Sequence, residues 1–532
     1  MTKTKMAAAM LLALIMFIGV NCFAVQPYFN GAGSSAAFNS FALAAGPVSG
    51  GGVCGQFMWS KKSGAEAVDN RGTGLLETGN VWIAWDNSTN PKKVCSYIAV
   101  DSIIGQQVFF AVPASTFNIL FPAGTAGDNL IPTITDTPIP QAVINVLQGQ
   151  PFNAAPTDVR PEDALFEEAR VLGAFDPVHY NGLGYGPPPV GTKILSTFST
   201  KSSTPAIYAL SGNDPITGQV IPGTKTLDVG VQVMVYIVNG QQGNGQNSGH
   251  FGDSTSFFNI NRRDLALALN GGYGFTKDIT SVPGQQNIPM NVVLREPLSG
   301  TYTTTEFNIP RNFEIGSTQE LNINPAAGQG TTCPNAPCGN PLNLSNGGGW
   351  RKRAIGNGEE ISQIATAANG DTLGYAFWSV GNLAGQSPAI RYLTVDGVDP
   401  INFSYVDGTL PTCTAPCPGI ATFVNVASGN YPVWSTLRLV TYKAIPAGVT
   451  ALITAAQNQV VSIYPDFLPL ASMGVLRSHY KQSGVVPNNH SGGKCFNVES
   501  GGDVGGAVIS IQGDQDFCAA SSNHAGRVNL KQ

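Results

Sequence analysis

Charged side chains are scarce in this chain, since only 11% of its 532 residues are Asp, Glu, Lys or Arg. The formal net charge is −5, and 63 glycines accompany a hydrophobic share of 42%. This balance is typical of a folded, loop-rich protein and not of a disordered one. The chain also lacks the basic excess that gives a general affinity for nucleic acid or anionic membranes, so any anion site must be local.

The motifs of several enzyme classes are missing as well. No Gly-x-Ser-x-Gly elbow, Walker sequence or dinucleotide fingerprint occurs. The acidic cluster at residues 162–168 is interpreted as a solvated helix face. These observations predict a protein that is not an enzyme and needs no cofactor or metal. The five histidines lie in loop-like or tail contexts without metal-ligand spacing: His179, His250, His479, His490 and His524.

Long apolar runs are absent after the N-terminus, where residues 1–24 have the pattern of a secretory signal. Lys3 and Lys5 precede an apolar stretch, and a small-x-small site ends at Ala24. Removal of this segment leaves 26 basic and 33 acidic side chains, a net charge of −7. We therefore predict a secreted protein, periplasmic or extracellular, without a transmembrane segment. Cys22 is an alternative lipidation site, although Asn21 fits a lipoprotein box poorly.

Eight cysteines remain after the signal, an even number that indicates disulfides in an exported protein. Their sequence order favours pairing between neighbours. A zinc site in the two short cysteine loops is a weaker alternative, because neither loop has two-residue spacing and no histidine lies beside them. The predicted pairs are Cys54–Cys95, Cys333–Cys338, Cys413–Cys417 and Cys495–Cys518.

A length of 532 residues predicts two or more lobes. Strand and helix patterns alternate along the chain, which indicates an α/β protein with parallel sheets. The unbroken apolar run at residues 231–238 is typical of a strand buried in a parallel sheet. Residues 112–150, rich in Pro and Thr, are interpreted as an insertion.

One stretch, residues 295–301, combines the groups that an oxyanion needs. Arg295 offers a planar guanidinium, and Ser299, Gly300 and Thr301 offer hydroxyls and backbone N–H groups. A helix beginning near Thr301 would add unpaired N–H groups and a favourable dipole. A Gly-Ser-Ser turn at residues 33–35 before a helix has the same character, although it equally fits a helix capped by Ser34 or Ser35.

Four motifs in this order resemble those of the phosphate-binding proteins of bacterial phosphate ABC importers, the PstS-type branch of the type II periplasmic binding proteins. They are Gly31 to Ser35, Asp101-Ser102, Ala155 to Asp158 and Arg295 to Thr301. The resemblance covers residues 26–460 and departs from the family at Asp101, where Gly is preferred, and at Pro156. It extends to Leu373-Gly-Tyr375 and to the segment 427–432.

The resemblance implies a two-lobed α/β fold with mixed, mostly parallel sheets and a hinge of two crossing strands, near residues 231–238 and 373–377. The implied divisions are lobe 1 in residues 25–230 and 373–480, lobe 2 in residues 231–372, and a C-terminal tail in residues 481–532. It also implies phosphate as ligand, an ABC permease as partner and a monomer. The implied phosphate-binding residues are Ser35, Ala36, Ser102, Asp158, Arg295, Ser299, Gly300 and Thr301.

Asp158 carries the expected selectivity, because a carboxylate repels an anion unless the anion brings a proton to share. Phosphate carries that proton near neutral pH and sulfate does not, so sulfate should be rejected. Asp158 also fits the N-cap of a helix starting near Pro161. The alternative function is a cell-surface or matrix protein with a structural or adhesion role, which kept the fold with lost or altered anion binding. An inward-facing Asp101 would favour it, since its charge would weaken binding.

Overall fold

The computed structural model describes fifteen stretches of the chain. They are residues 27–47, 52–62, 79–110, 116–159, 224–240, 258–269, 271–279, 288–295, 299–309, 342–343, 347–354, 356–367, 371–403, 405–477 and 508–510. The predicted signal segment and the predicted helix near Pro161 lie outside these residues.

Strands account for most of the regular structure in the described residues. In chain order they are β1 (Phe29–Gly33), β2 (Phe57–Lys61), β3 (Asn80–Trp85), β4 (Val94–Ala99), β5 (Thr116–Phe117), β6 (Gln150–Pro151), β7 (Ala154–Thr157), β8 (Thr224–Asn239), β9 (Asn259–Ile260), β10 (Met290–Arg295), β11 (Leu342–Asn343), β12 (Trp350–Ala354), β13 (Asp371–Phe377), β14 (Ile390–Tyr392), β15 (Thr394–Val395), β16 (Trp434–Tyr442), β17 (Val475–Arg477) and β18 (Val508–Ser510).

Helices alternate with these strands. They are α1 (Phe38–Ala45), α2 (Ser102–Phe110), α3 (Gln141–Leu147), α4 (Arg262–Leu269), α5 (Gly300–Asn308), α6 (Gly356–Ala365), α7 (Val380–Leu383), α8 (Val424–Ala427) and α9 (Ala447–Ser462). Short 3-10 turns cover Ser35–Ala37, Thr276–Asp278 and Leu470–Ser472. In the described part of the chain, no helix is long and apolar enough to cross a membrane.

One long mixed sheet organises the molecule, in the order β11-β12-β10-β13-β8-β16-β7-β1-β4-β3-β2, with β14 also paired to β8. β8 divides it, because residues 224–233 pair with β16 while residues 234–238 pair with β13. We call β16 to β2 the first half-sheet and β13 to β11 the second half-sheet. Helix α2 packs on β1 and β7, and α6 packs on β10 and β13. The predicted mixed α/β class with two lobes is confirmed.

Parallel pairing is confined to the centre of each half-sheet. β1 pairs in parallel with β4 and β7, and β10 pairs in parallel with β12 and β13. The other pairings of the long sheet are antiparallel, so the parallel share is smaller than expected from the sequence. In particular, β8 is antiparallel to β13, β14 and β16, which corrects the parallel interpretation of residues 231–238. Its apolar run reflects burial on both faces, which does not depend on strand direction.

The path of the chain between the two half-sheets runs through β8 and β16. β13 lies in the second half-sheet by its pairing with β10 and β8. The chain enters the first half-sheet again at β16, and α9 then packs on α1. The lobe divisions implied by the resemblance therefore stay a prediction.

Two of the four predicted cysteine pairs are disulfides in the structure. Cys54–Cys95 joins the segment before β2 to β4, and Cys413–Cys417 closes a short loop. Cys333, Cys338, Cys495 and Cys518 lie outside the described residues. The stretch 116–151 packs on the first half-sheet, because Val143, Ile144 and Leu147 of α3 are buried in its hydrophobic core. Its status as an insertion stays a prediction.

Candidate functional site

Three loops meet at the carboxyl ends of the parallel strands of the first half-sheet. β1 ends at Gly33 beside Ala99, the last residue of β4. β7 lies on the other side of β1 and ends at Thr157. Because parallel strands end at the same edge, the residues that follow them come together, as in other α/β sites. These residues are Ser34, Asp101, Ser102 and Asp158.

Asp158 is the centre of this group and is 1% exposed. Its Oδ2 accepts hydrogen bonds from the hydroxyl of Ser34 at 2.5 Å and from that of Ser102 at 2.9 Å. Its Oδ1 is buried without a hydrogen-bond partner among the described residues. A buried carboxylate oxygen without a donor is costly, so Oδ1 is suited to receive a proton-bearing group.

Burial raises the pKa of the Asp158 carboxyl to about 6, against the lowering effects of the Ser34 and Ser102 hydroxyls and of Arg295. Desolvation disfavours the charged form, and the two donors with the cation only partly offset it. Asp158 therefore changes protonation close to the range in which phosphate does. Nearby, the Tyr97 hydroxyl donates to the Ser34 carbonyl at 2.6 Å and fixes the turn that positions Ser34.

The second half-sheet presents the start of α5 to the same carboxyl group. Ser299 caps this helix, because its hydroxyl accepts from the Thr301 N–H at 3.1 Å. A Cβ built on Gly300 would lie 2.5 Å from Asp158 Oδ2 and 2.6 Å from Ser102 Oγ. The amino end of α5, with its partial positive charge, thus faces Asp158 at close range. Only glycine permits this approach.

Arg295 is the last residue of β10 and is fully buried beside this contact. Its guanidinium donates to Asp101 Oδ1 at 3.0 Å, to the Thr301 hydroxyl at 3.3 Å and to Asn357 Oδ1. Glu360 Oε2 lies 4.0 Å from Arg295 Nε. A second contact between the halves joins Asn357 Nδ2 to Ser35 Oγ at 3.5 Å.

Most of the predicted site residues converge in the structure. Ser102 and Asp158 from the first half face Arg295, Gly300 and Thr301 from the second. In the N-terminal turn Ser34 binds Asp158, and the N–H of Ala36 donates to Ser34 Oγ at 3.2 Å. Ser34 is thus the cap of the 3-10 turn, one of the two alternatives. The turn directs Ser34 towards β7 and leaves Ser35 towards Asn357. The phosphate-binding roles implied for Ser35 and Ala36 stay predictions.

Sequence reasoning missed several members of the site. Asn357 and Glu360 lie on one face of α6 and approach Arg295, although they follow it by more than sixty positions in the chain. No local pattern marks them, because only the packing of α6 on β10 brings them there. The sequence marks Asp101 as a carboxylate that would weaken anion binding if it faced inward. In the structure its side chain does face inward and contacts Arg295. Within the described residues, no group of three His, Cys, Asp or Glu side chains is arranged to hold a metal.

The site is thus a buried polar cluster at the boundary between the two half-sheets of an α/β chain. Each half-sheet contributes charged side chains to it. The site offers a helix amino end and one guanidinium to an oxyanion, while the Ser34 and Ser102 hydroxyls are donated to Asp158. It also contains three carboxyl groups, those of Asp101, Asp158 and Glu360. A ligand here would have to satisfy both kinds of group, which favours an oxyanion that also carries protons.

No family model matches this sequence, and a search of curated proteins finds no match. Several solved structures are similar at low levels. A phosphate-binding protein from Stenotrophomonas maltophilia is 14% identical, with 62% of this chain and 79% of that chain covered and a TM-score of 0.30. An ABC-type phosphate transport receptor from Vibrio cholerae is 13% identical, with 46% and 71% covered and a TM-score of 0.25.

A human phosphate binding apolipoprotein is 12% identical, with 61% of this chain and 79% of that chain covered and a TM-score of 0.25. At such values the likeness assigns neither a family nor a ligand to this chain.

Proposed function

We propose that this protein captures inorganic phosphate between its two half-sheets. The observation behind this proposal is the buried Asp158 carboxyl group, which has one oxygen held by Ser34 and Ser102 and the other without a donor. Gly300 brings the amino end of α5 against the same group, and Arg295 lies beside it. The anion would accept hydrogen bonds from Arg295, from Thr301 and from the Ser34 and Ser102 hydroxyls once these turn away from Asp158 Oδ2. It would donate a hydrogen bond from its own hydroxyl to Asp158 Oδ1.

Binding requires the two half-sheets to move apart and close again. Gly300 is in contact with Asp158 and Ser102, so an anion enters only when this contact opens. β8 runs through both half-sheets, and bending near its middle would separate them, as in hinge closure around a ligand. Closure then removes water from the site and strengthens every charge-assisted bond in it.

Selection of phosphate over sulfate follows from Asp158. Monohydrogen and dihydrogen phosphate can donate a hydrogen bond to Oδ1, whereas sulfate brings only acceptors and a like charge. A buried site that must hydrogen-bond a ligand proton discriminates strongly against a ligand that lacks it. The proposed role is capture and release, without chemical change of the anion.

The wider setting is part of the same proposal. The basic and apolar leader in residues 1–24 supports export by a signal peptide. The motif resemblance supports delivery of phosphate to an ABC permease, with the protein acting as a monomer.

A second candidate function is a surface or matrix protein that has lost anion binding. One specific observation favours it: Asp101 already neutralises Arg295 at 3.0 Å.

Calorimetric titration of the anion-free protein at neutral pH separates the two. Phosphate binding without a sulfate response is the expected result. No heat with either anion, from protein shown to be folded by circular dichroism, would overturn phosphate capture and favour the second candidate.

A further inference from the structure

Asp101 and Arg295 form an ion pair across the boundary between the two half-sheets. Asp101 precedes α2 in the first half, and Arg295 ends β10 in the second. Asp101 Oδ1 lies 3.0 Å from an Arg295 guanidinium nitrogen, and the side chains are 3% and 0% exposed. Ion pairs with this degree of burial are short, oriented and little screened by salt.

The Asp101 carboxylate binds Arg295 in the way that an anionic ligand would. A carboxylate offers two planar oxygens to a guanidinium, as phosphate does, so the two compete for the same N–H groups. Arg295 is also near Glu360 at 4.0 Å. Addition of an anion to a guanidinium that already faces two carboxylates is unfavourable unless one of them withdraws. Asp101 is the one that reaches Arg295 from the opposite half.

We propose that Asp101 is a built-in competitor of the anionic ligand: its carboxylate occupies Arg295, holds the halves together and must be displaced before phosphate binds. The inference rests on the proposed function and adds a residue that sets its affinity. Asp101 thereby makes the protein a weak receptor that closes without its ligand.

Two substitutions remove the charge while keeping the local structure. The Asp101 carbonyl accepts the Gly105 N–H at 2.8 Å at the start of α2, which is the position of a helix N-cap. Asn and Ser are good N-cap residues, so Asp101→Asn and Asp101→Ser leave this role intact. Asp128→Asn is the matched control, because it removes one carboxylate of an ion pair with Lys61 at the β2 edge of the same half-sheet.

The experiment is calorimetric titration of the full chain and its three variants with inorganic phosphate at pH 7. D101N and D101S should bind phosphate about tenfold more tightly or better, the usual scale for a charge-assisted contact that is freed. D128N should bind as the unsubstituted chain does. Phosphate should also raise the melting temperature of D101N and D101S more than that of the unsubstituted chain, which a purely structural Asp101 would not produce.

The outcomes separate this inference from the proposed function. Equal or weaker phosphate binding by both D101N and D101S, with clear binding by the unsubstituted chain, overturns the competitor and leaves phosphate capture standing. If D101N and D101S bind phosphate and the unsubstituted chain does not, the result supports Asp101 as a competitor and shows that the natural chain does not bind phosphate. If none of the four proteins binds phosphate, both the role of Asp101 as a competitor and phosphate capture are overturned. If one variant fails to fold by circular dichroism, the other decides.

Discussion

Gly300 lies against Asp158 so closely that a Cβ on the glycine would be 2.5 Å from the carboxyl oxygen Oδ2. The contact joins the amino end of α5 in one half-sheet to the end of β7 in the other. It puts a helix dipole beside a buried carboxyl group, which has the favourable sign for a carboxylate or a bound oxyanion. Closure of the two halves therefore depends on the absence of a side chain at position 300.

Gly300→Ala should destabilise the protein by about 1–3 kcal/mol, the usual cost of forcing a methyl group into a packed contact. It should also weaken phosphate binding, because the halves could no longer close fully. The control is Gly358→Ala in the first turn of α6, where an added Cβ meets nothing within 4 Å. That variant should gain up to about 1 kcal/mol from helix propensity. Urea unfolding measures both, and equal effects of the two substitutions would contradict the contact.

Arg295→Ala should cost about 3–5 kcal/mol, since it leaves the Asp101 carboxylate buried without its cation. Phosphate binding should be lost with it. Arg262→Ala is the comparison: Arg262 pairs with Asp396 at 2.5 Å, but the side chains are each 33% exposed. An exposed pair contributes about 1 kcal/mol or less. Similar denaturation midpoints for the two variants would show that Arg295 has no special role.

The stability of the protein should depend on pH through Asp158. Its pKa is about 6 in the folded state, above the ordinary value of 3.8. The folded state therefore binds the proton more tightly than the unfolded state. The free energy of unfolding should fall as pH rises from about 4 to 6, by up to about 3 kcal/mol from this group.

Asp158→Asn should make this dependence shallower between pH 4 and 6 by removing the contribution of Asp158. Burial also raises the pKa of Asp466 to about 7, so a separate dependence extending to higher pH should remain and should disappear in Asp466→Asn. Unfolding by denaturant at a series of pH values provides the data. A D158N profile that matches the unsubstituted one would contradict the assigned role.

Discrimination between anions should change in the same variant. The amide introduced by D158N could donate a hydrogen bond and would bring no negative charge, so this variant should bind sulfate more tightly than the natural chain does. Phosphate binding should weaken, and the ratio of the two affinities should fall by a factor of about ten or more, about 1.4 kcal/mol. Competition calorimetry measures the ratio. An unchanged ratio of phosphate to sulfate affinity would show that residues other than Asp158 discriminate between the two anions.

The two disulfides should differ in their contribution to stability. Cys54–Cys95 joins positions 41 apart, whereas Cys413–Cys417 joins positions 4 apart. Loop-closure entropy predicts losses of about 4 and about 2 kcal/mol when each pair is replaced by serine. Guanidinium unfolding of the two double-serine variants tests this order. The reverse order would show that native packing, rather than chain entropy, dominates.

Part of the site was predictable because local chemistry marks it. Arg295, Ser299, Gly300 and Thr301 form a short donor-rich stretch at a helix start, and Asp158 directly follows a strand. The sequence could not show whether Ser34 or Ser35 caps the turn, because the capping residue depends on the backbone path of that turn. Asn357 and Glu360 were not predictable, since no sequence pattern links α6 to β10.

The sequence by itself determined the α/β class, the buried strand at residues 231–238 and the positions of the donor-rich turns. These follow from hydrophobic periodicity and from the conformational preferences of Gly, Ser and Thr, which act over a few residues. Only the tertiary structure decided that β8 runs antiparallel through both half-sheets and that Asp101 lies on Arg295. Strand direction and ion pairing depend on which distant segments meet, and that is set by packing of the whole chain.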